Sequence, residues 1–185
     1  ARRPAILAGH GVNLGGAQKE LRELAELLAI PIATTPKGKG AFPEDHALSL
    51  RVFGLASSPW SEEYLLSGEV DVLFVMGSSL HEISTQGWEE RLKPTDSLIQ
   101  LDIDPSVVAR NYPVDVSLVG DARTTLRELL FHVRRLLAQG EHPARRDDGF
   151  LAALKARVPA VLNASQMENP ATPLKPQRVM AELNA

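Results

Sequence analysis

Two glycine clusters in this chain could carry backbone amides up to a phosphate: Gly9-His10-Gly11-Val12-Asn13-Leu14-Gly15, and Lys37-Gly38-Lys39-Gly40 within the stretch PIATTPKGKGAFPEDH at residues 31–46. Glycine allows a backbone to approach a ligand, or another backbone, where a Cβ would collide. The first cluster nearly forms the dinucleotide fingerprint G-x-G-x-x-G, but its third glycine falls one residue late. Thr34-Thr35 also stands where an acidic residue would hold a ribose. The preferred reading is a tight turn with close helix packing; phosphate contact through the amides is the alternative. The second cluster invites a P-loop reading, which needs Ser or Thr after the lysine and an earlier glycine at fixed spacing, and neither condition is met.

The remaining candidates weaken in the same way. His81-Glu82 begins like the zinc motif H-E-x-x-H, but Thr85 takes the second ligand position, and His10, His46, His132 and His142 have no ligand spacing. Gly77-Ser78-Ser79-Leu80 lacks the second glycine of a nucleophile elbow, so no Ser-His-Asp set assembles. Asp102 and Asp104 would point to one side of an extended chain and could form a carboxylate pair. The stronger reading makes Asp104 the N-cap of a helix with Pro105 at its first position, which leaves Asp102 free to accept from ribose or adenine groups. Asp121 likewise reads as a cap.

The elements that must position these residues follow from periodicity. Residues 5–8 read as a first strand and residues 16–29 as a helix, with Ala17, Leu21, Leu24, Ala25 and Leu28 on one face. Pro31 ends that helix. Ile30, Ile32 and Thr34-Thr35 favour a second strand. Residues 47–59 show no clear period, and 60–66 read as a short helix. The apolar run at 70–76 suits a strand buried on both faces of a parallel sheet. Strands are also expected at 97–102 and 114–119, and a strong helix at 122–138. Strands alternating with helices and ending in Gly or Asp turns indicate an α/β, doubly wound, mainly parallel sheet of about five or six strands flanked by helices. Residues 139–149 read as a polar linker, 150–163 as an amphipathic helix kinked at Pro159, and 164–176 as a stiff proline-rich connector. Residues 177–185 read as the start of a further helix.

A formal net charge of -3 with mixed signs leaves no nucleic-acid footprint. The apolar run at 70–76 is too short to cross a bilayer. The opening Arg2-Arg3-Pro4 does not read as a signal peptide, and the absence of cysteine excludes disulfides and thiolate chemistry and fits a cytoplasmic protein. The chain starts at a strand and stops inside a helical pattern, so it is expected to be a piece of a longer polypeptide.

Taken together, Arg3-Pro4-Ala5-Ile6-Leu7-Ala8-Gly9-His10-Gly11-Val12, residues 30–46, Asp71-Val72-Leu73-Phe74-Val75-Met76-Gly77, Leu101-Asp102-Ile103-Asp104-Pro105 and Val119-Gly120-Asp121-Ala122 resemble the central domain of thiamine diphosphate-dependent enzymes. The family is that of acetolactate synthase, pyruvate oxidase and benzoylformate decarboxylase. The run T-T-x-x-G-K-G-x-F-P-E-D-H, from Thr34 to His46, is its most specific part. The resemblance implies a Rossmann-like, deoxyhypusine synthase-like nucleotide-binding fold over residues 1–140, a linker plus extra helix over 141–163, and a connector leading into a C-terminal diphosphate-binding domain over 164–185. It further implies a parent enzyme of three α/β domains that forms a homo-oligomer, dimer or tetramer. Its first and third domains hold thiamine diphosphate and Mg²⁺, and it decarboxylates or carboligates 2-keto acids. The activating glutamate and the G-D-G…N-N motif belong to those other domains, so this segment alone is expected not to catalyse.

In some members the central domain binds FAD. Carried over, the cofactor-binding candidates are Gly9, Gly11, Thr35, Pro36, Lys37, Gly54, Gly77, Asp102, Ile103, Gly120 and Asp121. Ser78-Ser79-Leu80-His81-Glu82 and Gly54-Leu55-Ala56-Ser57 depart from the FAD binders and remove anchors for diphosphate and flavin. These departures favour a groove with a structural role. The competing readings are a stand-alone nucleotide-binding module of deoxyhypusine synthase or sirtuin type, and a pure interaction domain.

Overall fold

The computed structural model describes residues 1–141 and 149–183. Six strands, β1 (Ala5–Ala8), β2 (Ile32–Thr34), β3 (Ser49–Val52), β4 (Val72–Met76), β5 (Ser97–Asp102) and β6 (Val116–Val119), pair in parallel throughout in the order β3-β2-β1-β4-β5-β6. This is the doubly wound α/β sheet expected from the alternating pattern. The strand order reverses between β1 and β4, which makes the C-terminal ends of those two strands the topological switch point.

Alternation along each strand feeds two cores. On one face Leu7, Leu73 and Val75 pack with Tyr64 and Leu65 of α3 (Pro59–Leu65) and with Leu154 of α5 (Phe150–Arg157). On the other, Ile6, Ala8, Met76 and Leu101 meet Leu21, Leu24 and Ala25 of α2 (Gln18–Leu28) and Leu126 and Leu130 of α4 (Ala122–Ala138). Each leucine buried in this way contributes about 1.5–3 kcal/mol. The two helices of the second face are also tied by charge. The buried Glu20 accepts from Nε of Arg123 at 3.0 Å and of Arg127 at 2.9 Å. Burial pushes the Glu20 carboxyl up, but the bonds from the two arginines outweigh it and hold the group below its ordinary value.

The structure departs from expectation in five places. Residues 10–15 are not all turn: a short α1 (His10–Leu14) precedes α2, and Gly16 in a left-handed conformation (φ +60°) separates them. The aperiodic stretch 47–59 contains the edge strand β3. Its alternation is broken because the register shifts opposite Ile32 and Ala33, and Arg51 itself takes φ 65°. Asp104-Pro105 does not open a helix. The Asp104 side chain accepts from the Ser106 amide at 2.9 Å in a local turn, and the Gln100 side chain accepts from the Ala109 amide at 3.0 Å, holding the segment against the sheet. The helix expected to kink at Pro159 ends instead at Arg157, and the following Val158 has the extended backbone that a residue before proline adopts. Finally, the proline-rich connector contains a 3₁₀ turn, Ala164–Glu168, ahead of α6 (Pro176–Leu183). Residues 142–148 of the expected polar linker lie outside the described residues.

α5 docks firmly. Arg51 lies over the Trp60 ring at 4.8 Å and donates to the Ala160 carbonyl at 3.1 Å, Trp60 Nε1 donates to the Val158 carbonyl at 2.8 Å, and Phe150 sits edge-on to Tyr64.

Candidate functional site

Every candidate residue lies at the C-terminal edge of the sheet, where doubly wound folds place their ligands. The parallel ladder continues one step past each strand. Phe53 N donates to Thr34 O, Thr35 N to Ala8 O, Gly9 N to Met76 O, Gly77 N to Leu101 O and Gly120 N to Asp102 O, all between 2.7 and 3.0 Å. These bonds stitch the strand-end loops into one row.

At the switch point the row is shut by backbone. A Cβ on Gly9 would lie 2.3 Å from Gly77 O, and one on Gly77, which has φ +60°, would lie 2.6 Å from Gly11 Cα. Gly11 N also donates to Gly77 O at 2.9 Å. The glycines of the near-fingerprint therefore pack on another strand's loop. The Lys37 loop behaves the same way. Pro36–Gly38 forms a 3₁₀ turn capped by the Thr35 side chain, which accepts from Gly38 N at 3.1 Å, and a Cβ on Gly38 would lie 2.3 Å from Ala8 O. His10 Nδ1 donates to Lys37 O at 3.1 Å and Asn13 Nδ2 to Lys39 O at 3.2 Å, fastening the turn to α1. Lys37 itself is exposed. A Cβ on Gly54 (φ +128°) would lie 2.5 Å from Ile83 O.

At the other end of the row Asp102 Oδ1 accepts from Asp104 N at 3.1 Å, so it is engaged locally, and Ile103 is 71% exposed. The side chain and backbone of Ser106 hold Asp104 below the ordinary carboxyl value. Asp121 is a cap as expected: it accepts from Thr124 N at 2.8 Å, and the Thr124 amide and hydroxyl hold its carboxyl low.

The sequence reading missed the residues that hold the loop after β4. Gln100 is 1% exposed and donates to Ser78 O at 3.0 Å, Asn111 Nδ2 donates to Ser79 O at 2.8 Å, and the Tyr112 hydroxyl donates to Glu89 O at 3.1 Å. Burial pushes the Tyr112 phenol up. Within the loop Leu80, Gln86 and Trp88 all have left-handed backbones, and Arg91 beside Glu89 lowers that carboxyl to about 2. The one available signal was Gln100, a polar residue inside the apolar strand SLIQLD.

The sequence matches a known family. Residues 1–129 fit the description "Thiamine pyrophosphate enzyme, central domain". The chain belongs to that family. Across its whole length the central domain is 35% identical to the probable acetolactate synthase large subunit of Methanococcus aeolicus, and it covers 31% of that protein. It is 42% identical over 130 residues, 70% of its length, to the probable acetolactate synthase large subunit of Methanocaldococcus jannaschii, covering 22% of it. The glyoxylate carboligase of Escherichia coli O157:H7 is 30% identical over 185 residues, with 30% of that enzyme covered. The chain thus spans between a fifth and a third of these relatives.

The family implies thiamine diphosphate, whose diphosphate is usually held through a divalent cation with oxygen ligands. Among the described residues no group of three or more His, Asp or Glu side chains is placed to hold a metal ion. No helix among them is long and apolar enough to cross a membrane.

Proposed function

We propose that this chain is the central, scaffolding domain of a thiamine diphosphate-dependent enzyme that decarboxylates or carboligates 2-keto acids, with the cofactor and Mg²⁺ held by N- and C-terminal domains of the same polypeptide. The observation that carries this reading is the match of residues 1–129 to the central-domain family, together with 35% identity along the whole chain to an acetolactate synthase large subunit. In this reading residues 1–140 form the domain proper, 141–163 a linker and its docked helix, and 164–185 the connector to the diphosphate-binding domain. The whole enzyme is a cytoplasmic homo-oligomer.

The strand-end row has a structural task. Gly9, Gly11, Gly54 and Gly77 pack loop on loop, Thr35, Pro36 and Lys37 form the capped turn, and Asp102, Ile103, Gly120 and Asp121 close the far end. A flavin diphosphate would need the amides that these contacts already use, and the carboxylates of Asp102, Asp104 and Asp121 would repel it. The domain therefore works without FAD.

The full-length polypeptide should turn over pyruvate or glyoxylate with release of carbon dioxide only when thiamine diphosphate and Mg²⁺ are supplied, and residues 1–185 alone should be inert. Cofactor-independent turnover, or an inert full-length protein with every 2-keto acid tried, would overturn the reading.

A further inference from the structure

Central strands of an all-parallel sheet are covered on both faces. On the α2–α4 face this holds toward the C-terminal ends, where Met76 and Leu101 are fully buried. It fails toward the N-terminal ends, where Val72 and Phe74 of β4 and Ile99 of β5 are only half-buried although β4 lies in the middle of the sheet. These sheet residues, with Leu24 and Leu28 of α2 and Leu129 and Val133 of α4, line one end of a groove of about 740 Å³ that continues under the N-terminal edge of the sheet to Tyr64 and Phe150 on the α3–α5 side.

Ala1 and Arg2 line the same groove. Their position is fixed: the amides of Arg2 and Arg3 both donate to the Asp71 carboxylate, the second at 2.9 Å, and Asp71 N donates back to Arg3 O at 3.3 Å. Chain arriving at Ala1 therefore comes in through the groove's mouth. The relatives matched along this whole chain are about three times as long, since it covers 31% and 30% of them, and a central domain has chain on both sides.

Resting on the reading of this chain as an internal domain, we propose that the residues immediately before Ala1 in the full-length polypeptide carry an apolar face that fills this groove and completes the cover of β4 and β5. A segment tethered at the mouth gives up no translational freedom on docking, which a second copy or a free apolar ligand must do. The lining is aliphatic and aromatic where it meets β4, β5, α2 and α4, with Arg2, Arg3 and Lys155 elsewhere around it, so the matching side chains are apolar on the side of the incoming segment that meets the sheet.

The test places a photoreactive residue in the wall of the full-length enzyme, in separate variants Leu28→p-benzoylphenylalanine and Leu129→p-benzoylphenylalanine. Two positions on different helices are used so that one misfolded variant does not end the test. After illumination and digestion, both variants should cross-link within the same subunit to the stretch directly before Ala1. Cross-links to another domain, a covalent dimer, or no cross-link to protein at either position would overturn the proposal. If those outcomes occur in an enzyme that retains thiamine diphosphate-dependent turnover, the groove assignment alone fails. If turnover is absent from the unmodified enzyme, the functional reading fails instead.

Discussion

At the C-terminal edge of the sheet, Gly9, Gly11 and Gly77 bring two loops so close that a Cβ would lie within 3 Å of the opposing backbone, whereas at the N-terminal edge α2 and α4 leave Phe74 and Ile99 half-covered beside a groove of about 740 Å³. Doubly wound folds usually have it the other way round, with the open crevice at the C-terminal edge and a sealed bottom. The difference shows where the glycines act. In this domain they pack the customary ligand edge loop against loop, and the spare volume lies at the opposite edge, beside Ala1 and Arg2.

Substitution at the closed edge should break that contrast most severely. Gly9→Ala or Gly77→Val drives a Cβ into backbone that cannot rotate away, and urea unfolding should show a loss of about 3 kcal/mol or more. This corresponds to a drop in Tm of roughly 6–12 °C. An unchanged midpoint would mean that the two loops do not touch. Glu20→Gln comes next. It removes the carboxylate between two partly exposed arginines and should cost about 1–2 kcal/mol at neutral pH, discounted for solvent screening. The folded state holds Glu20 below its ordinary 4.5, so its contribution is complete above that pH and fades as the pH falls further. Stability curves of parent and variant should accordingly converge in acid. Asp121→Ala removes the cap of α4 and should cost about 1 kcal/mol by thermal unfolding. Lys39→Ala breaks only the exposed pair with Glu44, and chemical denaturation should register at most about 0.5 kcal/mol.

Much of this architecture was legible in the residues. β1, β5 and α4 fall at 5–8, 97–102 and 122–138 as their patterns require, because period and punctuation agree there: Gly9 stops the first, and Asp121 caps the last. β3 was not legible, since a left-handed Arg51 and a register shift erase a four-residue alternation. The turn after β5 misled for a related reason. Asp-Pro starts a helix or a turn equally well, and the Gln100 side chain, reaching from the sheet to the Ala109 amide, decides for the turn.

The candidate site divides the same way. That Gly9, Gly11 and Gly77 belong to one edge could be read from strand-end turns. That they press on each other depends on β1 lying beside β4, a fact of strand order that spacing does not carry. The groove was invisible because Phe74 and Ile99 look, residue by residue, like fully buried strand positions.

In the proposed role the strand-end row is packed structure that holds no flavin. This is tested most directly by the visible absorbance of the purified full-length polypeptide, followed by thermal unfolding with and without added FAD. The prediction is a colourless protein whose Tm does not move. A yellow preparation, or a rise of several degrees as mass action demands of a specific ligand, would contradict it.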